Sequence, residues 1–562
     1  MATGESPAHG HPYLKYMMMN RRSAIKLIGT AIPTLFLSRF TSAYTYLGKV
    51  PFDPNWRSLE RYSVPRWFRD AKFGIWAHWG PQCQPEYGDW YARGMYQEGS
   101  DQYLYHVKKY GHPSVFGFKD VIHEWKAEKW DPEALMDLYQ AAGAQYFMAL
   151  ANHHDNLDLF HSSHHRWNSV NVGPKKDIVR GWEQAAKKRG LKFGVSVHAA
   201  HAWTWYETAQ RADKQGNYAG VAYDGKLRKE DGKGKWWAGY DPQELYAQDH
   251  APSLDSTDDH TIHRQWHWDV ASGVSIPTDA YCTNFKARTL ELMDNYRPDM
   301  VYFDDTVLPL WPISNVGLEI AAQYYNKSMQ ANKGKVEVVI NGKILDEQQR
   351  KCLVWDIERG QSNSIEPQPW QTCTCIGSWH YDRRIYDNNS YKSAKTVIHM
   401  LIDVVSKNGN LLLSVPLRGD GSIDDKAKAV VQGIGDWMSR YSEAIMGSRP
   451  WHIFGEGPAL EDAPALSVQG FNEGKGKALT GEDLRFTTKG NILYVFIMGR
   501  PEKNVLTIKS LGKGAPNTKA VRTVQALGYT HRLTYRQLTD VLEIELPDGL
   551  IQNEIATVLK IS

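Results

Sequence analysis

The chain has 562 residues, too many for one hydrophobic core, and domains of ~100–200 residues predict two to four of them. Its 66 basic residues nearly match its 63 acidic ones, leaving a net charge of +3 and no electrostatic reason to expect nucleic acid. The chain carries 21 Trp and 30 Tyr, which gives weight to carbohydrate, because indole packs on the C–H faces of sugar rings; any single Trp more often fills a core.

Taken in chain order, residues 1–45 read as an export signal. Arg21-Arg22 precedes the apolar stretch Leu27 to Leu37, and Thr41-Ser42-Ala43 offers small residues for cleavage. The paired arginines favour a twin-arginine signal and a periplasmic or extracellular location. The apolar stretch falls short of the ~20 residues a membrane span needs. An uncleaved segment would be the chain's one link to a membrane. The cysteines (Cys83, Cys282, Cys352, Cys373, Cys375) are sparse and odd in number, so no disulfide framework is expected.

Short apolar runs then alternate with helical segments. Strands are predicted at Phe73–His78, Gln145–Ala151, Leu191–His198, Met300–Asp304, Val336–Asn341, Leu353–Ile357 and Leu411–Val415. Helices are predicted at Asp131–Gly143, Asp177–Gly190, Thr283–Tyr296, Ile320–Asn332, Ser393–Lys407 and Asp424–Ser439. Alternation of this kind implies a parallel sheet with crossover helices, and its length suits a (β/α) TIM-like barrel over residues 46–451 better than an open sheet. Residues 208–278 break the rhythm with a polar insertion, long enough to suggest function, that would overhang the C-terminal face. From 452 to 562 short alternating runs with turns between them predict a C-terminal β-sandwich.

Polar residues gather at the predicted strand ends: His78, His153-His154-Asp155, His198, Asp304-Asp305, and Asp356, Glu358 and Arg359. In a parallel barrel these ends meet on one rim, where active sites lie. Each alone is more often structural; their coincidence calls for chemistry.

These residues carry a resemblance. Phe73-Gly-Ile-Trp-Ala-His-Trp-Gly80 with Tyr87-Gly-Asp-Trp-Tyr91, Asn152-His-His-Asp155, Tyr296-Arg-Pro-Asp-Met-Val-Tyr-Phe-Asp304, Trp370-Gln-Thr-Cys373 with Ser378-Trp379, and Ser442-Glu-Ala-Ile-Met-Gly-Ser-Arg-Pro-Trp451 resemble, in order, the motifs of the α-L-fucosidases, glycoside hydrolase family 29. The resemblance implies a retaining, exo-acting hydrolase of terminal α-L-fucosyl residues on glycans, with no cofactor and no metal. It implies Asp304 as nucleophile and His78, Asp89, Trp90, His153, His154, His198, Tyr302, Arg359, Gln371 and Trp379 around the sugar.

Two departures matter. Many members place their acid/base Glu where this chain has Gln371, an amide that cannot exchange a proton usefully. Glu358 is favoured as the replacement, with Glu366 and Asp305 as other options. The strand ending in His198 lacks the family's usual aromatic hydroxyls, which keeps an α-L-galactosidase, on algal or sulfated glycans, as an alternative. A silent sugar-binding homologue and a metal-dependent hydrolase built on the many histidines are further alternatives, and a homo-oligomer is left open.

Overall fold

The computed structural model describes residues 51–254, 266–461, 466, 470–550 and 553–562; the predicted export signal lies outside them. Eight parallel strands close into a barrel in chain order: β1 (Phe73–Ala77), β2 (Tyr146–Asn152), β3 (Lys192–Val197), β4 (Met300–Phe303), β5 (Val339–Gly342), β6 (Val354–Glu358), β7 (Trp370–Cys375) and β8 (Gly409–Ser414), with β8 returning to pair with β1. The strands are buried along almost their whole length, as expected where helices cover a parallel sheet and barrel side chains fill the middle.

Covering helices are α1 (Pro132–Ala141) after β1, α2 (Ile178–Lys188) after β2, α3 (Asp279–Tyr296) after β3, α4 (Val316–Ala331) after β4, the single turn α5 (Gln349–Cys352) after β5, α6 (Ala394–Ser406) after β7 and α7 (Asp425–Ile445) after β8. Their starts are written in the sequence. The side chains of Asp131, Asp177, Thr278, Ser393 and Asp424 each accept a backbone N–H from the first turn, which satisfies donors that a helix leaves open. Gly143, just past α1, adopts φ 91°, which costs a residue without Cβ little.

Two features depart from the predicted alternation. β7 was not foreseen as a strand, and β6 runs to β7 through an irregular segment with no helix. Most other ends moved by one to four residues.

The C-terminal part is a pair of antiparallel sheets. One has the order β13 (Val524–Ala526), β16 (Thr557–Ile561), β11 (Ile492–Ile497), β10 (Leu484–Lys489), β9 (Arg449–Glu456); the other is β12 (Val505–Ile508), β15 (Leu542–Glu545), β14 (Tyr535–Gln537). β9 starts at Arg449, so the first strand of this part straddles the predicted boundary at 452. Along β11, Leu493, Val495 and Ile497 enter the core between the sheets, whereas Tyr494 and Phe496 join the core of the barrel. That period-two alternation makes one strand serve two interfaces.

Candidate active site

Asp304 directly follows β4, and its backbone N–H reaches back to the Val197 carbonyl of β3 (3.2 Å), which fixes the side chain on the barrel rim. One carboxylate oxygen meets His154 Nε2 at 3.0 Å and His198 Nδ1 at 3.1 Å. The other bonds to the ammonium of Lys343. The same ammonium donates to Glu358 Oε2 at 2.6 Å, so one lysine, placed directly after β5, ties together acids from the ends of β4 and β6. Burial would push the Asp304 carboxyl up, but the Lys343 ammonium and the neighbouring imidazoles hold it well below the usual carboxylate range. Burial likewise opposes the charge on Lys343, and Asp304 and Glu358 overcome it, holding the ammonium well above its ordinary range.

The imidazoles are each oriented. His153 Nδ1 accepts from Gln82 Nε2 (2.8 Å), which also donates to Asp155 (3.0 Å). Gln82 therefore selects the tautomer of His153 that carries its proton on Nε2. His154 Nδ1 donates to the His198 carbonyl (2.8 Å), which turns Nε2 onto Asp304. His78, after β1, accepts or donates at Ser414 Oγ (3.0 Å) and lies 3.7 Å from the Trp76 ring and 4.7 Å from Trp379, centroid to centroid. Burial lowers the pKa of His78 and His153 well below the ordinary imidazole value. It pulls His154 to about 4 against the opposing effect of Asp304. The neutral rings of His78 and His153 can both donate to and accept from hydroxyl groups, whereas both nitrogens of His154 are engaged within the protein.

Aromatic rings pack around these histidines. Trp90, in left-handed backbone (φ 59°), stacks at 6.3 Å on Trp266 and meets His154 edge-on at 6.4 Å. Trp266 comes from the insertion, stacks on His201 at 4.2 Å and lies 5.9 Å from the Lys343 ammonium. The insertion thus reaches the rim, as its position after β3 predicted; residues 255–265 lie outside the described part. Asp89 accepts the backbone N–H of His380 (2.6 Å) and braces the segment carrying Trp379.

The structure therefore brings together Asp304, Glu358, His78, His153, His154, His198, Trp90 and Trp379. Three other predicted residues sit elsewhere. Gln371 is the second residue of β7, fully buried inside the barrel, where it accepts from Tyr146 Oη (3.0 Å) and donates to Asp356 Oδ1 (2.8 Å). Tyr302 is buried beneath the rim, its hydroxyl donating to Asp356 Oδ2 (3.2 Å) and its ring 4.7 Å from Trp76. Arg359 adopts left-handed backbone (φ 45°) and pairs with Glu473 of the C-terminal part (3.6 Å). Of the other options for a proton donor, Glu366 accepts from Ser362 and pairs with Arg350 (3.7 Å), and Asp305 pairs with His201 (3.1 Å); neither shares a partner with Asp304.

Sequence reading missed Lys343 and Trp266. Lys343 follows a strand end, the same signal that exposed Asp304. Trp266 lies in a loop without periodicity, and nothing but its Trp-rich surroundings marked it.

His153, His154 and His198 offer nitrogens within 4.8 Å of one another, close enough for a divalent ion. Two of those rings already face the Asp304 carboxylate.

Comparison with known proteins bears on what this arrangement serves. A family model described as alpha-L-fucosidase matches residues 41–443, and one described as alpha-L-fucosidase C-terminal domain matches residues 477–562. The chain belongs to the α-L-fucosidase family. It is accordingly a glycoside hydrolase, and the family acts on glycans. The tissue alpha-L-fucosidase of Rattus norvegicus is 25% identical over 91% of this chain and 92% of its own length. The plasma alpha-L-fucosidase of Homo sapiens is 24% identical over 83% of this chain and 85% of its own. Among solved structures, the Thermotoga maritima alpha-fucosidase in complex with fucose is 26% identical, with a TM-score of 0.64 over 91% of this chain and all of that one. The (β/α) barrel with a C-terminal β domain expected for a fucosidase is thus the architecture observed.

Proposed function

We propose that this chain hydrolyses terminal α-L-fucosyl residues from glycans with retention, using Asp304 as nucleophile and Glu358 as acid/base. The observation that carries the reading is the pairing of both acids with one ammonium. Carboxylates that share a single hydrogen-bond donor stand close, in keeping with the ~5–5.5 Å separation of retaining enzymes rather than the ~6.5–9.5 Å that leaves room for a water in inverting ones.

In the first step the Asp304 carboxylate attacks the anomeric carbon, and the bond to the departing oxygen breaks as Glu358, acting as the acid, gives that oxygen a proton. In the second, Glu358 takes a proton from water, the hydroxide oxygen displaces Asp304 and the sugar leaves with its original configuration. The forces that keep Asp304 ionised suit the first step. The neutral imidazoles of His78 and His153 supply donors and acceptors for sugar hydroxyls, and Trp90, Trp266 and Trp379 supply apolar faces.

The substrate test is turnover of aryl α-L-fucoside, α-L-galactoside and β-D-fucoside by wild type and Asp304→Ala. Hydrolysis of the α-L-fucoside above the other two, with a loss of about a thousandfold or more in the variant, is expected. Preference for the galactoside would move the reading to an α-L-galactosidase, and comparable activity in Asp304→Ala would remove the nucleophile from its role.

The export signal is part of the same proposal: Arg21-Arg22 ahead of an apolar stretch would carry the folded enzyme out of the cytoplasm, where its glycans are met.

A further inference from the structure

Where α6 meets the C-terminal sheets, a cleft of about 1220 Å³ runs down the side of the barrel. Among the described residues its lining is unbalanced: seven lysine and arginine side chains against two carboxylates, Asp403 and Glu473. At its deep end Lys407 and Arg485 are both buried and both bond to Asp403, at 2.7 and 2.6 Å. One carboxylate cannot cancel two cations, so positive charge remains at the floor. The Phe454 ring lies 4.7 Å from the Lys407 ammonium and 5.6 Å from the Arg485 guanidinium. A ring face softens such an excess without neutralising it. The upper end repeats the pattern: Arg359 and Lys392 share Glu473, at 3.6 and 2.7 Å. Between them Lys395 of α6 and Lys475 and Lys477 of the opposite wall stand exposed, beside an exposed Phe471.

Buried charge is costly to keep without a counter-charge, and here the excess is arranged along one groove rather than scattered. The groove begins at Arg359, the residue after Glu358. A glycan whose terminal sugar sits above Asp304 could therefore lay its remainder along it. Lysines predominate, and their ammonium groups are point charges with rotatable donors, suited to the three oxygens of a sulfate ester more than to the planar fork of a carboxylate.

We propose that this cleft binds sulfate esters on the body of the glycan, away from the sugar being cleaved. The proposal rests on the reading of the chain as acting on glycans, but its test reads binding alone. Calorimetry on full-length Asp304→Ala would compare a carrageenan hexasaccharide, its desulfated form and an oligogalacturonate of equal length. Binding of the sulfated sugar that weakens with added salt is expected, with much weaker binding of the other two. The combined variant Lys395→Glu, Lys475→Glu, Lys477→Glu, all exposed positions, should lose about tenfold or more in affinity with its melting temperature unchanged. Equal binding of the oligogalacturonate overturns the assignment to sulfate. Undiminished binding by the triple variant, or no binding of the sulfated sugar to the parent, overturns the cleft as a site. None of these results depends on whether Asp304 is the nucleophile.

Discussion

Asp304 and Glu358 both reach the ammonium of Lys343, and all three side chains are mostly buried. Without the lysine, the Asp304 carboxylate would lose the largest of the charges that keep it ionised against its burial. Replacing it with Met should therefore move the acid limb of the kcat/KM profile upward by about 1–3 pH units, the range a nearby opposite charge accounts for. The rate at the optimum should fall about a hundredfold, the scale of losing a preorganised charge at a reacting centre. A pH–rate profile on an aryl fucoside checks both, and an unmoved acid limb would show that Lys343 does not set the state of Asp304. At this scale the sequence was informative where a polar residue of a familiar kind ended an apolar run, as with His78, His154 and Asp304. Lys343 has the same placement, but a lone lysine after Asn341-Gly342 matches no pattern for sugar chemistry, and only coordinates show that it joins two acids.

At the scale of strands, the interior beneath the rim is held by a polar network spanning β2, β4, β6 and β7. Asp356 accepts from Gln371 Nε2, Tyr302 Oη (3.2 Å) and Cys373 Sγ (3.0 Å). Burial raises its carboxyl to about 6. A native pKa above the unfolded value favours the fold fully below the unfolded pKa and loses that contribution as pH rises through about 6. Asp356→Asn keeps the acceptor for Gln371 and offers an amide N–H to the Tyr302 oxygen. Its stability relative to wild type should improve by about 1–1.5 kcal/mol between pH 5 and pH 8, the part of the shift that falls above pH 5, the rest being lost between the unfolded value and pH 5. Denaturant midpoints at the two pH values decide it; a gap that does not change with pH contradicts the assignment. The same strands show why Gln371 and Arg359 were misplaced by motif. β7 reads Trp-Gln-Thr-Cys-Thr-Cys, which lacks an apolar run, so its start could not be located. Gln371 then falls four residues short of the strand's end, inside the barrel. Arg359 leaves β6 in left-handed backbone that turns it toward Glu473, a reversal that sequence gives no sign of.

For the molecule as a whole, the alternation of strands and helices and the change to short alternating runs near residue 450 made the two-part architecture legible. Helix caps did the same for element starts, because Asp, Ser and Thr mark positions where the backbone needs an acceptor. What escaped was the joint between the parts. β9 lies across it, and the core is shared through Tyr494 and Phe496, contacts that join residues far apart in sequence. Export can be checked on the whole chain: Arg21→Lys with Arg22→Lys should retain the enzyme in the cytoplasm of a bacterial host, with wild type outside it, by activity in cell fractions. Equal export of the two would end the twin-arginine reading.

The nucleophile is tested most directly by trapping. A 2-deoxy-2-fluoro-α-L-fucosyl fluoride slows release of the sugar and leaves it covalently attached. Mass spectrometry of the digested enzyme should then find a single fluorofucosyl ester, on Asp304. A label on another residue, or no covalent adduct together with NMR evidence that the first product has inverted configuration, would contradict the account.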